Sequence, residues 1–364
     1  MYPEMDKDKH IAALHKLISK LIWTIACLCL LPIVVLFFIF IGDDLMQFFS
    51  NSNTQSLNST VAPQPVDTTR YWQAAPINNL ASDSLKKLAL YGQDLIAHTA
   101  KYLGPKGSVA SISNGMNCQN CHLEAGTKIY GNNYGAVFST YPKMRARSGT
   151  VENIYKRVND CIQRSLNGTA LDSLSKEMQA IKLYIETIGS NVKKGGKATG
   201  SGLKKMDFLD RAADPEQGKI VYANKCQSCH QANGQGLLNA EGNEYTYPPL
   251  WGKNSYNDGA GLYRISNFAK YVKYNMPQGV LHNQPQLTDA EAWDVAAFVN
   301  SQTRPHKHVP QDWPDKSKKP IDHPFGPYSD QFSEQQHKYG PFKPIEAEKN
   351  KANTANKTAS KNSL

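Results

Sequence analysis

From Leu21 to Gly42 the chain runs through 22 successive residues without a charge. At about 1.5 Å of rise per residue such a stretch reaches roughly 33 Å as a helix, enough for the hydrocarbon core of a bilayer. Lys7, Lys9, Lys16 and Lys20 precede it, Asp43 and Asp44 follow it, and the next basic residue is Arg70. That asymmetry predicts a single transmembrane helix in the bacterial inner membrane, with a cytoplasmic N-terminus and the bulk of the chain on the periplasmic side. The run exceeds the roughly 7–15 apolar residues of a cleaved leader, and "IGDDLMQFF" offers no small-x-small cleavage site, so the anchor is expected to stay.

Further along, helical spacing of apolar residues alternates with polar punctuation. Two segments of domain size, 71–192 and 207–303, each open with an amphipathic stretch ("SLKKLALYGQDLIAHTAKYL"; "DPEQGKIVYANK") and close with another ("LSKEMQAIKLYIETI"; "LTDAEAWDVAAFVNSQ"). In the last of these, Trp293, Ala296, Ala297 and Asn300 recur on one helical face and Val295, Phe298 and Val299 on the next. Long runs with a period of two are absent, which predicts an all-α protein with one fold used twice in tandem behind the transmembrane helix. The remainder divides by composition: 1–49 as cytoplasmic N-terminus and anchor, 50–70 as a flexible Ser/Asn/Thr/Pro tether, 193–206 as a Lys/Gly linker, 304–345 as an extended Pro-rich strap, and 346–364 as a polar tail expected to be disordered.

The cysteines give the two segments their chemistry. Of seven, Cys27 and Cys29 lie in the apolar run, Cys118 and Cys121 belong to "CQNCH" ending in His122, and Cys226 and Cys229 belong to "CQSCH" ending in His230. In C-x-x-C-H two thiols form thioethers to a porphyrin and the next imidazole becomes the proximal iron ligand. Two copies predict two covalently bound haem c groups, one at Cys118, Cys121 and His122 and one at Cys226, Cys229 and His230. A zinc site would need a second ligand pair at close spacing, and a redox pair a βαβ setting. Neither pattern is present. The order helix, haem loop, helix is what a small cytochrome c domain needs, and an oxidising compartment suits cysteines consumed as thioethers.

Each iron also needs a sixth ligand. In "KYNMPQG", Met276 precedes a proline, which biases it towards an extended conformation, and it lies 46 residues after His230 and 11 before the closing helix at Leu287. A His230/Met276 pair is expected there, with the raised potential of that ligation. The corresponding place in the first segment, whose closing helix starts near Leu174, is Cys161 to Gln163. Met178 falls inside that helix, and Met116 and Met144 come too early, so Cys161 is the expected partner of His122. Thiolate ligation would lower that haem's potential relative to the other.

Ile154, Val158 and Cys161 share one helical face, with Arg157, Arg164 and Ser165 on the adjacent turns and Arg145 and Arg147 in the loop "YPKMRARSG" before it. Cations of this density favour the charged form of a cysteine. The formal charge of +10 suits an anionic small molecule, whereas nucleic acid is not an expected partner, because the basic residues are scattered.

The segment "YPKMRARSGTVENIYKRVNDCIQRSLNG", together with "NMPQG" and "KPIDHPFGPYSDQFSEQQHKYGPFKPI", resembles the dihaem thiosulfate dehydrogenases, the tetrathionate-forming c-type cytochromes, over about residues 75–345. The resemblance implies that His122 and Cys161 ligate an active-site haem and His230 and Met276 an electron-transfer haem, with Arg147, Arg157 and Ser165 lining a pocket for thiosulfate beside the catalytic Cys161. It implies oxidation of two thiosulfates to tetrathionate, with reduction of tetrathionate as the reverse direction, and a periplasmic cytochrome c or a terminal oxidase as electron partner. Where some relatives carry lysine directly before the methionine, this chain has Asn275. A rival reading of another class is a membrane-anchored dihaem carrier that feeds a terminal oxidase and has no substrate of its own. It predicts methionine ligation in both halves and no use for the arginines. In a third, Cys161 is an inert buried thiol or pairs between molecules.

Overall fold

The computed structural model describes residues 15–25 and 70–362. The chain divides into two units, Met1–Gln64 and Pro65–Leu364. In the first, residues 15–25 form a helix that contains Lys16 and Lys20. No described helix is long and apolar enough to cross a membrane. This finding overturns the expected transmembrane helix, and with it the single-pass inner-membrane placement with periplasmic domains. Residues 26–42 of the expected span, and the tether up to residue 69, lie outside the described residues.

The second unit is mainly helical, and its helices start where the sequence supplies caps. α1 (Asp83–Ala97) begins at Ser82, whose hydroxyl accepts from the Leu85 amide, and α2 (Thr99–Leu103) follows directly. α3 (Ile154–Arg164) is capped by Asn153 and α4 (Lys176–Ile188) by Ser175. α5 (Pro215–Lys225) has Asp214 as cap and proline in its first turn, where the missing N–H costs nothing. α6 (Ile265–Asn275) leads to Met276, and α7 (Asp289–Ser301) starts with a reciprocal capping box between Thr288 and Glu291.

The two halves repeat one packing device. α1 crosses α4 so closely that a Cβ on Gly92 would lie 2.0 Å from the Ala180 carbonyl oxygen. α5 crosses α7 in the same way, and a Cβ on Gly218 would lie 1.9 Å from the Asp294 carbonyl oxygen. Around the first crossing Leu95, Ile96, Ile181, Tyr184 and Ile185 form a core. Around the second, Tyr222, Trp293, Ala296 and Ala297 join Phe268 and Val272 of α6. Each fully buried large apolar side chain contributes about 1.5–3 kcal/mol, so these crossings carry much of the stability of each half.

The all-α expectation also needs correction, since two small antiparallel sheets are present. β1 (Lys143–Arg145) pairs with β2 (Thr150–Glu152), with Lys143 opposite Glu152, and β3 (Leu237–Leu238) pairs with β4 (Tyr245–Tyr247). Strands of two or three residues are too short to show an alternating pattern in sequence. The first hairpin is secured by tertiary burial of Glu152, whose carboxylate lies 3.7 Å from Arg145 Nε.

From residue 304 the chain runs back over both halves. Asp312 pairs with Arg164 at 2.8 Å, and Asp322 accepts from Arg264 Nε at 2.8 Å. A short helix, α8 (Glu334–Tyr339), precedes Phe342 and Ile345, which complete the second core against Trp293 and Phe208. Residues Lys343–Asn362 form a helix, α9, where the polar composition suggested disorder. The halves are also joined directly: Asn257 is fully buried, donating its side-chain amide to the Gln163 carbonyl and its backbone N–H to the Arg164 carbonyl.

Candidate active site

α3 presents one stripe, Ile154, Arg157, Val158, Cys161, Ile162 and Ser165, to a cavity with about 980 Å³ of atom-free space. Steps of three and four residues place all six on one face of a helix. Cys118, Cys121 and His122 line the same cavity, and Ile96, Leu103, Ile181 and Ile185 give it apolar walls. Cys161, Arg157 and Ser165 therefore share one space with the first C-x-x-C-H motif.

Two observations test whether these residues fit a covalently attached haem. His122 Nδ1 lies 2.5 Å from the Asn132 carbonyl oxygen, and His230 Nδ1 lies 2.8 Å from that of Pro248. A carbonyl can only accept, so Nδ1 bears the hydrogen in both and Nε2 keeps its lone pair for a metal. Burial lowers the pKa of His122 to about 4, against the opposing Asn132 hydrogen bond and with help from Arg157, and burial also lowers that of His230. Both imidazoles stay neutral at pH 7, as a ligand must. Burial pushes the Cys118 thiol up to about 11, Cys121 to about 12 and Cys226 to about 11. Thioether formation suits such sites, because it leaves no charge to desolvate. Among the described residues no group of three or more His, Cys, Asp or Glu is placed to hold a bare metal ion.

The cavity wall is polar where Cys161 stands. Arg157 is half-buried, and its proton is held more tightly than usual, chiefly by the neighbouring Cys161 sulfur and in part by Tyr141, Asp160 and Glu152, against the effect of burial. His122 stacks on Tyr134 with centroids 4.6 Å apart. In the second half Met276 follows α6 in an extended conformation (φ −127°, ψ 147°) and packs against the second core. The preceding Asn275 is buried and donates to the Tyr130 carbonyl of the first half at 3.1 Å.

Arg147 is placed differently from Arg157 and Ser165. It lines a second cleft, beneath the strap, and not the Cys161 cavity. Its carbonyl accepts from the Trp313 amide at 2.6 Å and its guanidinium lies 4.0 Å from the Asp312 carboxylate, which also holds Arg164. Burial, then Arg164 and Arg157, lower the Arg147 pKa against the pull of Asp312. Sequence reasoning missed Asp312, Asn132 and Pro248. No periodicity or motif marks them, because each acts across a distance that only the fold closes.

Comparison with known proteins bears on both halves. Residues 108–193 match the family described as SoxA/TsdA, cytochrome c domain, and residues 215–303 match cytochrome c. The thiosulfate dehydrogenase of Stutzerimonas stutzeri is 34% identical over 235 residues, spanning 65% of this chain and 73% of the relative. The chain belongs to the thiosulfate dehydrogenase family. The family member from Allochromatium vinosum is 36% identical over 198 residues, covering 53% of this chain and 72% of its own. Among solved structures, the thiosulfate dehydrogenase TsdBA of Marichromatium purpuratum in its as-isolated form superposes with a TM-score of 0.60 at 28% identity, over 68% of this chain. The match spans about half, 53%, of that solved chain. Membership places the protein among cytochrome c oxidoreductases, whose domains carry covalently bound haem c with its iron.

Proposed function

We propose that this protein oxidises two thiosulfates to tetrathionate at Cys161. The observation that carries the reading is an unpaired cysteine in one cavity with a C-x-x-C-H motif, one helical turn from a half-buried arginine. Two haems, held by Cys118, Cys121, His122 and Cys161 and by Cys226, Cys229, His230 and Met276, would supply one-electron acceptors and pass the electrons to an external cytochrome or oxidase. The remaining chemistry belongs to the side chains.

Bringing two dianions to about 5 Å costs roughly 13 kcal/mol at an effective dielectric near 20, so cations are required. Arg157 offers forked donors to sulfonate oxygens, and the Ser165 hydroxyl, two turns along the same face, offers a further one. The Cys161 thiolate forms a bond to the sulfane sulfur of the first thiosulfate, giving Cys–S–S–SO3⁻ as two electrons leave. A second thiosulfate then attacks that sulfane sulfur, tetrathionate departs, and the Cys161 thiolate is restored. Charge and atoms balance in both steps. Run backwards, the same groups reduce tetrathionate, so the direction follows the potential of the electron partner.

Low-temperature electron paramagnetic resonance of the oxidised protein, before and after adding tetrathionate, tests this. A thiolate-type low-spin signal that changes with the ligand is expected. Two unresponsive His/Met-type signals would instead leave an electron carrier without a substrate.

A further inference from the structure

We infer that the cleft beneath the strap is a second anion site, taking a sulfonate-type oxyanion next to the Cys161 cavity. The choice of a sulfur oxyanion as ligand rests on the function proposed above. The site itself rests on an imbalance of charge and of hydrogen bonding.

The cleft holds about 1070 Å³ of atom-free space and is lined by Arg147, Arg264, Lys307, Lys316 and Lys319 against only Asp258 and Asp312. Both carboxylates are committed elsewhere: Asp258 to the His306 ring at 2.6 Å and the Lys307 amide at 2.8 Å, Asp312 to Arg164 at 2.8 Å. Arg264 is taken by Asp322, and Lys319 donates to the carbonyls of Phe325 and Pro327. The Lys307 ammonium makes no hydrogen bond or ion pair among the described residues.

Donors outnumber acceptors at one end of the cleft. Arg147 Nε and Trp313 Nε1, from residues that line it, and Arg164 Nη1, beside the lining Gly259, are all buried without a hydrogen-bond acceptor. Arg164 Nη1 is close to the Asp312 carboxylate, yet its N–H is not aligned for a hydrogen bond. Two guanidiniums thus share the Asp312 carboxylate and the Trp313 indole has no acceptor, and each unmade buried bond costs about 1–3 kcal/mol. The backbone is strained at the same place: Trp313 has φ of +61°. Access is built in as well. Gly259 lines the cleft, and a Cβ there would come within 3.0 Å of Arg164 Nη1 and 3.5 Å of Lys307 Cβ. Glycine leaves room beside the Arg164 guanidinium and the base of the Lys307 side chain. A tetrahedral oxyanion, with several acceptor oxygens, would meet the unpartnered donors and offset the excess charge. The proposed turnover needs two thiosulfates, and a second anion site would take one without drawing on Arg157.

Calorimetric titration of the oxidised, haem-loaded protein with inorganic sulfate tests the site without turnover. One sulfate should bind, tetrathionate should compete for it, and chloride at matched ionic strength should not. Lys307→Gln and Gly259→Val should each weaken sulfate binding about tenfold while the haem absorbance stays as in the parent. Lys307→Gln removes an ammonium that makes no hydrogen bond or ion pair among the described residues, so it reports even where the valine variant folds poorly. Unchanged sulfate affinity in Lys307→Gln, or equal competition by chloride, overturns the site, and failure of tetrathionate to compete overturns its ligand class. Loss of thiosulfate oxidation with sulfate binding intact would count against the proposed function alone.

Discussion

Arg157 and Cys161 stand one turn apart on α3, and the sulfur is the strongest influence on the guanidinium, which it holds in its charged form beyond the usual arginine range. The pair lies inside the cavity that the first C-x-x-C-H motif lines. A cysteine sulfur and a guanidinium are thereby held by one helix, and the proposed chemistry rests on that pairing.

Cys161→Gly should abolish thiosulfate oxidation while both haems stay attached, as read from the pyridine haemochrome spectrum. Cys161→Met should do the same, although it keeps a sulfur near the first haem site. Retained turnover in the methionine variant would show that no bond to the cysteine sulfur is needed.

Arg157→Lys keeps the charge and removes the planar fork. Loss of one charge-assisted hydrogen bond is worth about 1.5–3 kcal/mol, so kcat/KM for thiosulfate should fall roughly 10- to 100-fold. Steady-state kinetics with an artificial electron acceptor would measure it. Parental kcat/KM would place Arg157 outside the reaction.

Gly92→Val should destabilise the first half by about 3 kcal/mol, because the new Cβ meets the Ala180 carbonyl and α1 must move off α4. Gly218→Val should do the same to α5 and α7 through Asp294. Guanidinium unfolding midpoints decide this, and Gly261→Val, where an added Cβ meets nothing within 4 Å, serves as the control.

Burial lowers the His323 pKa from 6.5 to about 4, with Lys319 adding to the effect. Between those values the unfolded chain binds more protons than the folded one, so stability rises with pH. The contribution is fully present above about 6.5 and is lost as pH falls towards 4. Its upper bound is about 3 kcal/mol from the size of the shift. His323→Gln should flatten the dependence of the unfolding midpoint on pH across that window, and an unchanged slope would place the titrating group elsewhere.

Much of the site was legible in the sequence because its logic is local. The spacing of Cys118, Cys121 and His122 is closed by a few residues of chain, and the stripe from Ile154 to Ser165 follows from the helical period. Caps at Ser82, Asn153, Ser175 and Thr288 set helix starts through side chains that reach only two or three residues ahead. The apolar run from Leu21 misled for a related reason: hydropathy reports what a segment could cross, and no described helix is long and apolar enough to do so.

The sequence by itself determined the repeated haem-attachment motifs, the helices that flank them and the placing of Arg157 and Ser165 on the face of Cys161, since each depends on short-range periodicity. Only the tertiary structure decided that Arg147 faces the strap instead of the Cys161 cavity, that Asp312 reaches Arg164 across 148 residues, and that Gly92 and Gly218 are the crossing points. These relations arise when packed helices bring distant groups within a few ångströms, and the choice among many available partners is made by how the whole core closes.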